Sequence, residues 1–240
     1  MGTIAEDRGN APAQARPPDT RDLFRRLEIV LSPAATVAEN LAIDEEMIRA
    51  AAPEQRTALR LWWGDAPTVV VGNSEKPEVV ADLAACERLG IPVIRRRSGG
   101  GTVLQTADVV NYSLTAPAPV GLDVRVAFAI GARVLVGALA RLGLRAEMRG
   151  ISDVVVGDRK ISGNAQARRR GGLLVHGTLL VEGDLDLVEA CLRHPSREPD
   201  YRRGRGHRAF LTSLRREGVL ATPAEVEDAL IAAAEDLVRG

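Results

Sequence analysis

Short apolar runs recur along the chain and predict β-strands. Most are rich in Val, Leu or Ile and end near Gly, Pro, Asp or Ser residues typical of turns. The predicted strands are 24–31, 59–63, 68–71, 91–94, 103–104, 109–114, 153–156, 159–163 and 173–181. Because the turn at 64–67 contains Gly64 and Pro67, strands 59–63 and 68–71 are predicted to form a hairpin.

Between these strands, apolar residues three and four positions apart predict helices. The first helix is predicted to begin at Ser32-Pro33, with acidic residues that include Asp44 on its outer face. Residues 197–208 are interpreted as a basic, irregular loop. The length and hydrophobic content of the chain favour one α/β domain. The remaining predicted helices are 77–89, 124–142, 185–192 and 223–238.

Composition limits the class of protein. With 240 residues and 45% hydrophobic content, the chain can bury one substantial core. Its 32 basic and 32 acidic side chains give no net charge, so no overall field gathers nucleic acid, and we expect no nucleic-acid partner. Cys86 and Cys191 lack metal-ligand or CxxC spacing, which argues against a disulfide framework or a zinc site and favours a reducing cytoplasm.

The first part of the chain differs in composition from the rest. Residues 1–20 are rich in Ala, Pro, Gly and charge but contain no apolar stretch, so we expect a disordered tail and not a signal peptide. Residues 21–240 are then the folded domain, without a C-terminal accessory domain. No apolar run approaches the length of a membrane span, and we expect no membrane association.

The most distinctive stretch contains three arginines followed by Ser98, Gly99, Gly100, Gly101 and Thr102. It lies between two predicted strands. Glycines have no Cβ and tolerate positive φ, so their N–H groups could converge on an anion while the arginines supply charge. The stretch is therefore interpreted as a cradle for a phosphate or carboxylate. A tight turn that uses its glycines only for turning is the alternative.

Several motifs together resemble the lipoate–protein ligase family, part of the biotin and lipoate ligase superfamily. The motifs are RRRSGGGTVLQ, NYSL, SDVVVGDRKISGNAQARR and LLVHGTLL, and the likeness extends from NLAIDEEM to the closing helix. The resemblance implies an α/β (α+β) catalytic domain with mixed, largely antiparallel sheets packed with helices. It also implies that ATP and Mg²⁺ activate lipoate, or octanoate, to an acyl-adenylate before transfer to a lysine.

Lys160 is the predicted catalytic residue. A carboxylate is a poor acyl donor, so amide formation first requires a mixed anhydride with AMP, and that step joins two anions. A compact lysine cation could bridge the α-phosphate and the acyl oxygen. A lysine after a turn is otherwise an ordinary solvated charge, and only the flanking motifs favour the catalytic interpretation.

The resemblance also implies roles for other residues around the substrate and nucleotide. Asp153 would lie near the nucleotide and could contact Mg²⁺, and Asn73 would help to form the acyl pocket. His176 would shape the adenylate site, although it could equally be a core histidine. The predicted substrate- and nucleotide-binding residues are Asn73, Arg96, Ser98, Gly99, Gly100, Gly101, Thr102, Asp153, Gly163, His176, Gly177 and Thr178.

The expected acceptor is a lysine on a lipoyl carrier domain. Glycine cleavage H protein, a 2-oxoacid dehydrogenase E2 or a lipoate-binding protein would serve, and a separate accessory subunit could assist. The basic groups 168–170 and 202–208 together are interpreted as one docking surface for an acidic carrier. One departure from the family pattern is that Gln105-Thr106-Ala107-Asp108 stands where many members have His-Asp-x-Gly.

Two other functions remain open from the sequence. Octanoyl or lipoyl transferases use a cysteine thiolate and no ATP, but neither Cys86 nor Cys191 stands where they carry it, and buried, inert thiols are expected. A non-catalytic carrier- or ligand-binding homologue is supported only by the altered motif at Gln105. Biotin ligase is disfavoured because the glycine-arginine sequence 204–208 comes too late in the chain.

Overall fold

The computed structural model describes residues 26–31, 36–195 and 197–239, which form two β-sheets and seven α-helices. Two short 3₁₀ turns, Asp200–Arg202 and Arg215–Glu217, complete these ranges. The strands are β1 Leu27–Leu31, β2 Thr57–Trp63, β3 Thr68–Val71, β4 Val93–Arg95, β5 Val103–Gln105, β6 Val109–Pro117, β7 Ala146–Arg149, β8 Asp153–Val156, β9 Arg159–Arg169 and β10 Gly172–Leu180. The helices are α1 Val37–Ala51, α2 Pro77–Val80, α3 Leu83–Arg88, α4 Val124–Arg141, α5 Leu185–Cys191, α6 His207–Phe210 and α7 Pro223–Arg239.

The larger sheet has seven strands in the order β1-β2-β6-β10-β9-β8-β7, and the smaller sheet has the order β4-β3-β5. Strands β1 and β2 pair in parallel, as do β3 and β4, whereas the other pairs are antiparallel. Helices α4 and α7 pack against one face of the larger sheet, where Leu61, Tyr112 and Leu135 are buried. The predicted mixed, largely antiparallel α/β fold is confirmed.

The predicted hairpin of 59–63 and 68–71 is wrong. Strand β2 lies between β1 and β6 in the larger sheet, whereas β3 is the central strand of the smaller one. Both strands are buried, so their apolar sequences are alike and do not reveal that the turn between them connects two sheets. A short turn between two apolar runs is therefore insufficient to assign strand pairing here.

The first two predicted helices also need correction. Ser32 and Pro33 lie outside the described residues, and α1 begins at Val37, where the side chain of Thr36 accepts a hydrogen bond from the Glu39 N–H. The predicted helix 77–89 is two helices, because the Asp82 side chain caps a new start at Leu83. The predicted tail, residues 1–20, also lies outside the described residues.

Asp44 was predicted on the outer face of α1, but it is buried. Its Oδ1 lies 2.7 Å from Arg60 Nη1, and its Oδ2 accepts a hydrogen bond of 2.5 Å from Ser113 Oγ. Burial raises the pKa of this carboxyl, and the bonds to Ser113 and Arg60 oppose that rise. A buried acid with a cation and a hydroxyl as partners is polar in sequence but belongs to the interior.

Within the described ranges, every helix is too short or too polar to cross a bilayer.

Candidate active site

A row of five paired residues crosses the larger sheet on the face opposite α4 and α7. Trp62 pairs with Asn111, Asn111 with Thr178, Thr178 with Gly163, and Gly163 with Asp153. Since successive residues of a strand point to opposite faces, this row lies away from the core that contains Leu61 and Tyr112. All five residues line one cavity of about 800 Å³.

The cavity has an apolar end and a charged end. Neighbouring strands lie about 4.8 Å apart, so Gly163, three strands from Trp62, is about 14 Å from it. Asp153 and Lys160 lie at the charged end. The apolar end contains Trp62 with Leu41 and Val70, and further apolar lining of the cavity comes from Val80, Leu104, Leu180, Val188 and Leu192. The cavity can therefore hold a long apolar group at one end and an anion at the other.

A shift in strand register brings Lys160 to the cavity. Strands β8 and β9 pair Val154 with Ser162 but Val155 with Lys160, so one residue of β9 is left unmatched. In an uninterrupted ladder Lys160 would share the core face with Val154. Because of this β-bulge, Lys160 lies instead on the same face of the sheet as Asp153.

The Lys160 side chain lies between Asp153 and Gly163. Its Nζ is 2.8 Å from Asp153 Oδ1, and the other carboxylate oxygen, Oδ2, accepts a hydrogen bond of 2.8 Å from Tyr201 Oη. A Cβ added to Gly163 would lie 2.7 Å from the Lys160 Nζ. Gly163 therefore leaves the space that the ammonium occupies.

The arginines before the glycine loop bind the protein itself. Arg96 is buried, and its guanidinium donates to Gly99 O at 2.7 Å, Gly101 O at 2.6 Å and Ser98 Oγ at 3.0 Å. Burial lowers the pKa of Arg96 to about 10, and the charge of Glu75 opposes this. Arg96 therefore stays protonated at neutral pH and shapes the loop from inside.

The flanking arginines are also engaged. Arg95 Nη1 donates to the carbonyls of Gly72, Asn73 and Glu75, and Arg97 Nε lies 3.0 Å from Glu45 Oε2. All three arginines therefore help to shape the loop through these contacts. That the triplet also supplies charge to a ligand stays a prediction.

Only one glycine of the loop requires its conformation. Gly100 has a φ of +86°, and a Cβ there would lie 3.1 Å from Arg96 Nη2, whereas nothing lies within 4 Å of a Cβ added to Gly99 or Gly101. Gly72, in the turn beside the loop, has no room for a Cβ because it would overlap Gly100 O. The loop and the 72–75 turn pack backbone against backbone.

His176 links the loop to the sheet. Its Nε2 is 2.6 Å from Ser98 Oγ, and its Nδ1 is 4.0 Å from Asp44 Oδ2. Burial, together with the nearby charge of Arg96, lowers the pKa of His176 to about 3. The imidazole is therefore neutral at physiological pH and serves as a hydrogen-bonding bridge at the edge of the cavity.

The predicted site residues separate into two groups. Asn73 is exposed and does not line the cavity, so its predicted place in the acyl pocket is not supported by its position. Ser98 and Gly99 do not line the cavity either. The predicted residues that do line the cavity are Arg96, Gly100, Gly101, Thr102, Asp153, Lys160, Gly163, His176, Gly177 and Thr178.

Comparison with known proteins identifies the family. The model of the lipoyl protein ligase A/B catalytic domain matches residues 36–235. The chain belongs to this family. The predicted lipoate ligase family is thus confirmed.

Individual relatives match to different extents. Lipoate-protein ligase LplJ of Bacillus subtilis is 34% identical over 154 residues, which cover 64% of this chain and 45% of LplJ. The chain thus spans about half the length of that relative. The bipartite lipoate protein ligase of Thermoplasma acidophilum, solved in a study of that ligase and its E2 lipoyl domain, superposes with a TM-score of 0.77. It is 27% identical, with coverage of 89% of this chain and 83% of that one. A lipoate-protein ligase A bound with ATP gives a TM-score of 0.75 at 28% identity, with coverage of 89% and 85%.

At Gln105 the chain departs from the lipoyl ligase pattern, and an amide pair stands there. Gln105 Nε2 donates to Asn111 Oδ1 at 2.6 Å, and Asn111 Nδ2 donates to Gln105 Oε1 at 3.0 Å. Both residues are buried and line the cavity. The two side chains satisfy each other, so the altered motif leaves an intact cavity wall.

The two cysteines lie away from the cavity surface. Cys86 in α3 and Cys191 in α5 are both buried in the apolar cluster that joins these helices to the smaller sheet. Burial, with a contribution from Cys86, raises the pKa of Cys191 to about 11. The sequence expectation of buried thiols is met, and neither thiol is placed as the lipoyl carrier of a transferase.

Residues 197–210 are more ordered than the predicted irregular loop. Arg202 is buried with its guanidinium 4.7 Å from the centre of the Phe210 ring, and Arg205 Nη1 lies 2.9 Å from Asp158 Oδ2. Arg205 therefore lies near the start of β9, whereas residues 168–170 lie near its end, about 30 Å away. The two basic groups cannot form the single docking surface predicted from sequence.

Tyr201 and the scarcity of lysine were missed at the sequence level. Tyr201 showed no motif, because its partner Asp153 is 48 positions earlier. Lysine carried a usable signal: only two of the 32 Lys and Arg residues are lysines, Lys76 and Lys160. A lysine kept inside a site by a chain that otherwise uses arginine indicates a need for the smaller cation.

No cluster of three or more His, Cys, Asp or Glu side chains suited to a metal occurs in the part of the chain that the structure describes. Asp153 already binds Lys160 and Tyr201. The residues present therefore fit a Mg²⁺ ion that arrives with phosphate oxygens and touches one carboxylate, and not a resident metal held by protein alone.

Proposed function

We propose that the protein activates lipoate, or octanoate, with ATP and transfers the acyl group to a lysine of a lipoyl carrier domain. The observation that carries this proposal is the position of Lys160. Its ammonium stands at the charged end of an apolar cavity, over Gly163 and beside Asp153. Family membership supports the same reaction.

The cavity matches a medium-chain acid in shape and polarity. The acyl chain would lie along the row from Trp62 through Asn111 to Thr178, with its carboxylate near Lys160. Burial of an apolar chain there is favourable at about 25 cal/mol per Å² of surface removed from water. The Lys160 cation at the far end then fixes which end of the acid enters first.

The first half-reaction joins two anions. One carboxylate oxygen attacks the α-phosphorus of ATP, pyrophosphate leaves, and an acyl-adenylate results. Lys160 would leave Asp153 and bind the α-phosphate and the acyl oxygen, where negative charge must be balanced. Buried Arg96, which lines the same cavity, would add a second positive charge beside the loop.

The second half-reaction uses the carrier's lysine amine. The amine attacks the acyl carbon, the bond to AMP breaks, and a proton is released as the amide forms. Lys160 would again stabilise charge on the acyl oxygen during the attack. The carrier's lysine would enter beside Ile151 and Tyr201, which line the cavity.

Mg²⁺ is proposed as a companion of ATP. Asp153 would hold it together with the nucleotide's own phosphate oxygens. Its chemical contribution would be to neutralise phosphate charge.

The deciding experiment measures pyrophosphate release with the purified protein, lipoate, ATP and Mg²⁺, with no carrier present. We expect release to depend on both ATP and lipoate and to leave an acyl-adenylate detectable by mass spectrometry. The Cys86→Ser and Cys191→Ser variants are the matched controls and should retain activity. Transfer from an acyl carrier protein without ATP, lost in either cysteine variant, would instead identify a transferase.

A further inference from the structure

Tyr201 contacts the charged end of the cavity, although no sequence motif predicted that its segment would lie there. Its hydroxyl donates a hydrogen bond of 2.8 Å to Asp153 Oδ2, and Asp153 Oδ1 is 2.8 Å from Lys160 Nζ. One carboxylate thus holds a neutral donor on one oxygen and the ammonium on the other. The three groups form a chain from residue 201 to the lysine.

The Tyr201 ring is fixed independently of its hydroxyl. It packs against Phe210 with ring centres 5.3 Å apart, and the Arg149 guanidinium lies 5.5 Å from its centre. Burial, followed by the charge of Asp153, raises the pKa of Tyr201 above its ordinary value. The hydroxyl is therefore protonated at physiological pH and is available as a donor.

We propose that Tyr201 is a positioning residue, whose hydroxyl orients Asp153 so that Lys160 is held over Gly163 until the ligand arrives. This inference rests on the function proposed above. When Lys160 turns to the phosphate and acyl oxygens, Asp153 keeps one hydrogen-bond donor. Without that donor the Asp153 carboxylate could rotate, and the ammonium would lose the fixed position from which it turns to the ligand.

Tyr201 can act either through its hydroxyl and Asp153 or, like an ordinary packing residue, through its ring. If the hydroxyl works through Asp153, its loss should have no effect once Asp153 is gone. A packing role would act through the ring contacts with Phe210 and Arg149, which Tyr201→Phe retains. The two roles therefore predict different coupling between substitutions at 201 and 153.

The first test is a double-mutant cycle of Tyr201→Phe and Asp153→Ala on adenylate formation. We expect Tyr201→Phe alone to lower kcat about tenfold, the usual scale for a hydrogen bond to a charged group, with KM for lipoate changed less than about twofold. In the Asp153→Ala background the same substitution should change kcat less than about twofold. Equal losses in both backgrounds would overturn the proposal.

The matched control is Trp63→Phe. The Trp63 indole donates a hydrogen bond of 2.6 Å to Glu227 Oε1, so this change also removes a neutral donor from a carboxylate while keeping a ring. Trp63 is packed against the core on the other side of the sheet. Its loss should leave kcat unchanged, and a fall equal to that of Tyr201→Phe would also count against the proposal.

A second test needs no turnover. Lys76 and Lys160 are the chain's two lysines, and Lys76 is exposed, so amine acetylation followed by mass spectrometry can use Lys76 as an internal reference. We expect Tyr201→Phe to raise the labelling of Lys160 relative to Lys76 by about threefold or more, because a freely rotating Asp153 holds the ammonium less well. An unchanged or lower ratio would overturn the proposal.

The two tests separate this inference from the proposed function. A wild-type protein that releases no pyrophosphate would defeat the proposed reaction, yet a raised Lys160 labelling ratio would still support the role of Tyr201. A wild-type protein that turns over normally, with additive substitutions and an unchanged ratio, would defeat only the role of Tyr201.

Discussion

The two groups of positive charge beside the cavity are built in opposite ways. The Arg96 guanidinium is buried and donates to the carbonyls of Gly99 and Gly101. Lys160 has one acidic partner, a side chain about a quarter exposed, and its ammonium in the small space that Gly163 leaves. A guanidinium with many fixed donors suits the building of a loop, whereas a compact ammonium can change partners. Sequence proximity to a glycine loop therefore does not identify the cation that meets the ligand.

The largest expected effect is at Lys160. Lys160→Ala should lower the rate of adenylate formation by about 10²–10³, the usual loss for an electrostatic stabiliser of this kind. Lys160→Arg should be nearly as poor despite its charge, because a planar guanidinium does not fit the space over Gly163. Pyrophosphate release measures both.

Lys76→Arg is the control for that experiment, since it makes the same replacement at an exposed site. It should behave as the wild type, and circular dichroism should show that all three variants fold. Adenylate formation by Lys160→Ala at nearly the wild-type rate would show that Lys160 is not the catalytic cation.

A second prediction concerns Arg96, whose replacement should reduce the stability of the fold more than the rate of adenylate formation. Arg96→Met removes the buried hydrogen bonds to the carbonyls of Gly99, Gly101 and Val70, which should lower the free energy of unfolding by on the order of 3 kcal/mol. Arg96→Lys keeps the charge but cannot reach all these acceptors. We expect it to lose most of the same stability in urea denaturation.

If Arg96→Lys were as stable as the wild type, charge alone would suffice at this position. The loop would then be stabilised by the positive charge at position 96 and not by the several donors of a guanidinium. A further outcome against it would be an Arg96→Met variant with wild-type stability but no adenylate formation.

The sequence predicted some elements well because their signals are local. Helix α4, predicted at 124–142, is Val124–Arg141, since its apolar spacing persists over several turns and the Asp123 side chain caps it. Pairing across the sheet is not local. Neither the separation of β2 from β3 nor the burial of Asp44 by Arg60 and Ser113 has a signature within a few residues.

The part of the candidate site that consists of sequence motifs was predictable from the sequence. Motifs placed Lys160, Gly163 and the glycine loop together, and the structure brings them to one cavity. The face of the sheet on which Lys160 lies depends on a single unmatched residue in β9. Strict alternation along the strand would have predicted the opposite face. Tyr201 reaches Asp153 only through the folding of a distant segment.

A third prediction compares two glycines of the loop. Gly100→Ala should lower the free energy of unfolding by about 1–2 kcal/mol, because its φ of +86° is unfavourable for a residue with a Cβ and the added atom meets Arg96. Gly99→Ala, with open space around its Cβ, is the matched control. Thermal denaturation of the two variants, each with and without ATP and lipoate, gives the comparison.

Gly100→Val should in addition prevent binding, since a branched side chain resists positive φ and reaches towards the cavity. Calorimetry with ATP and lipoate measures this. Retained affinity would show that the glycines of the loop serve the turn alone.

The smallest expected effect concerns carrier docking, and here the structure changes the sequence prediction. Arg202 is buried and Arg205 is paired with Asp158, so neither is free to bind a carrier at the surface. Arg197 is exposed and lines the cavity, and Arg203 is exposed next to the cavity-lining Arg202, whereas 168–170 lie at the far end of β9. We therefore expect Arg197→Ser with Arg203→Ser to slow transfer from preformed acyl-adenylate to an acidic carrier, by a few-fold at low salt.

The matched control is Arg168→Ser with Arg170→Ser, which removes equal charge from the distant hairpin. Exposed charges act mainly on the association rate and are screened over about 8 Å at physiological salt, so the effect should shrink as salt rises. Pyrophosphate release without carrier should be the same in both variants, because the first half-reaction does not involve the carrier. A larger loss in the 168/170 variant would place the carrier at the hairpin end, and a loss of pyrophosphate release in the 197/203 variant would place those arginines at the nucleotide.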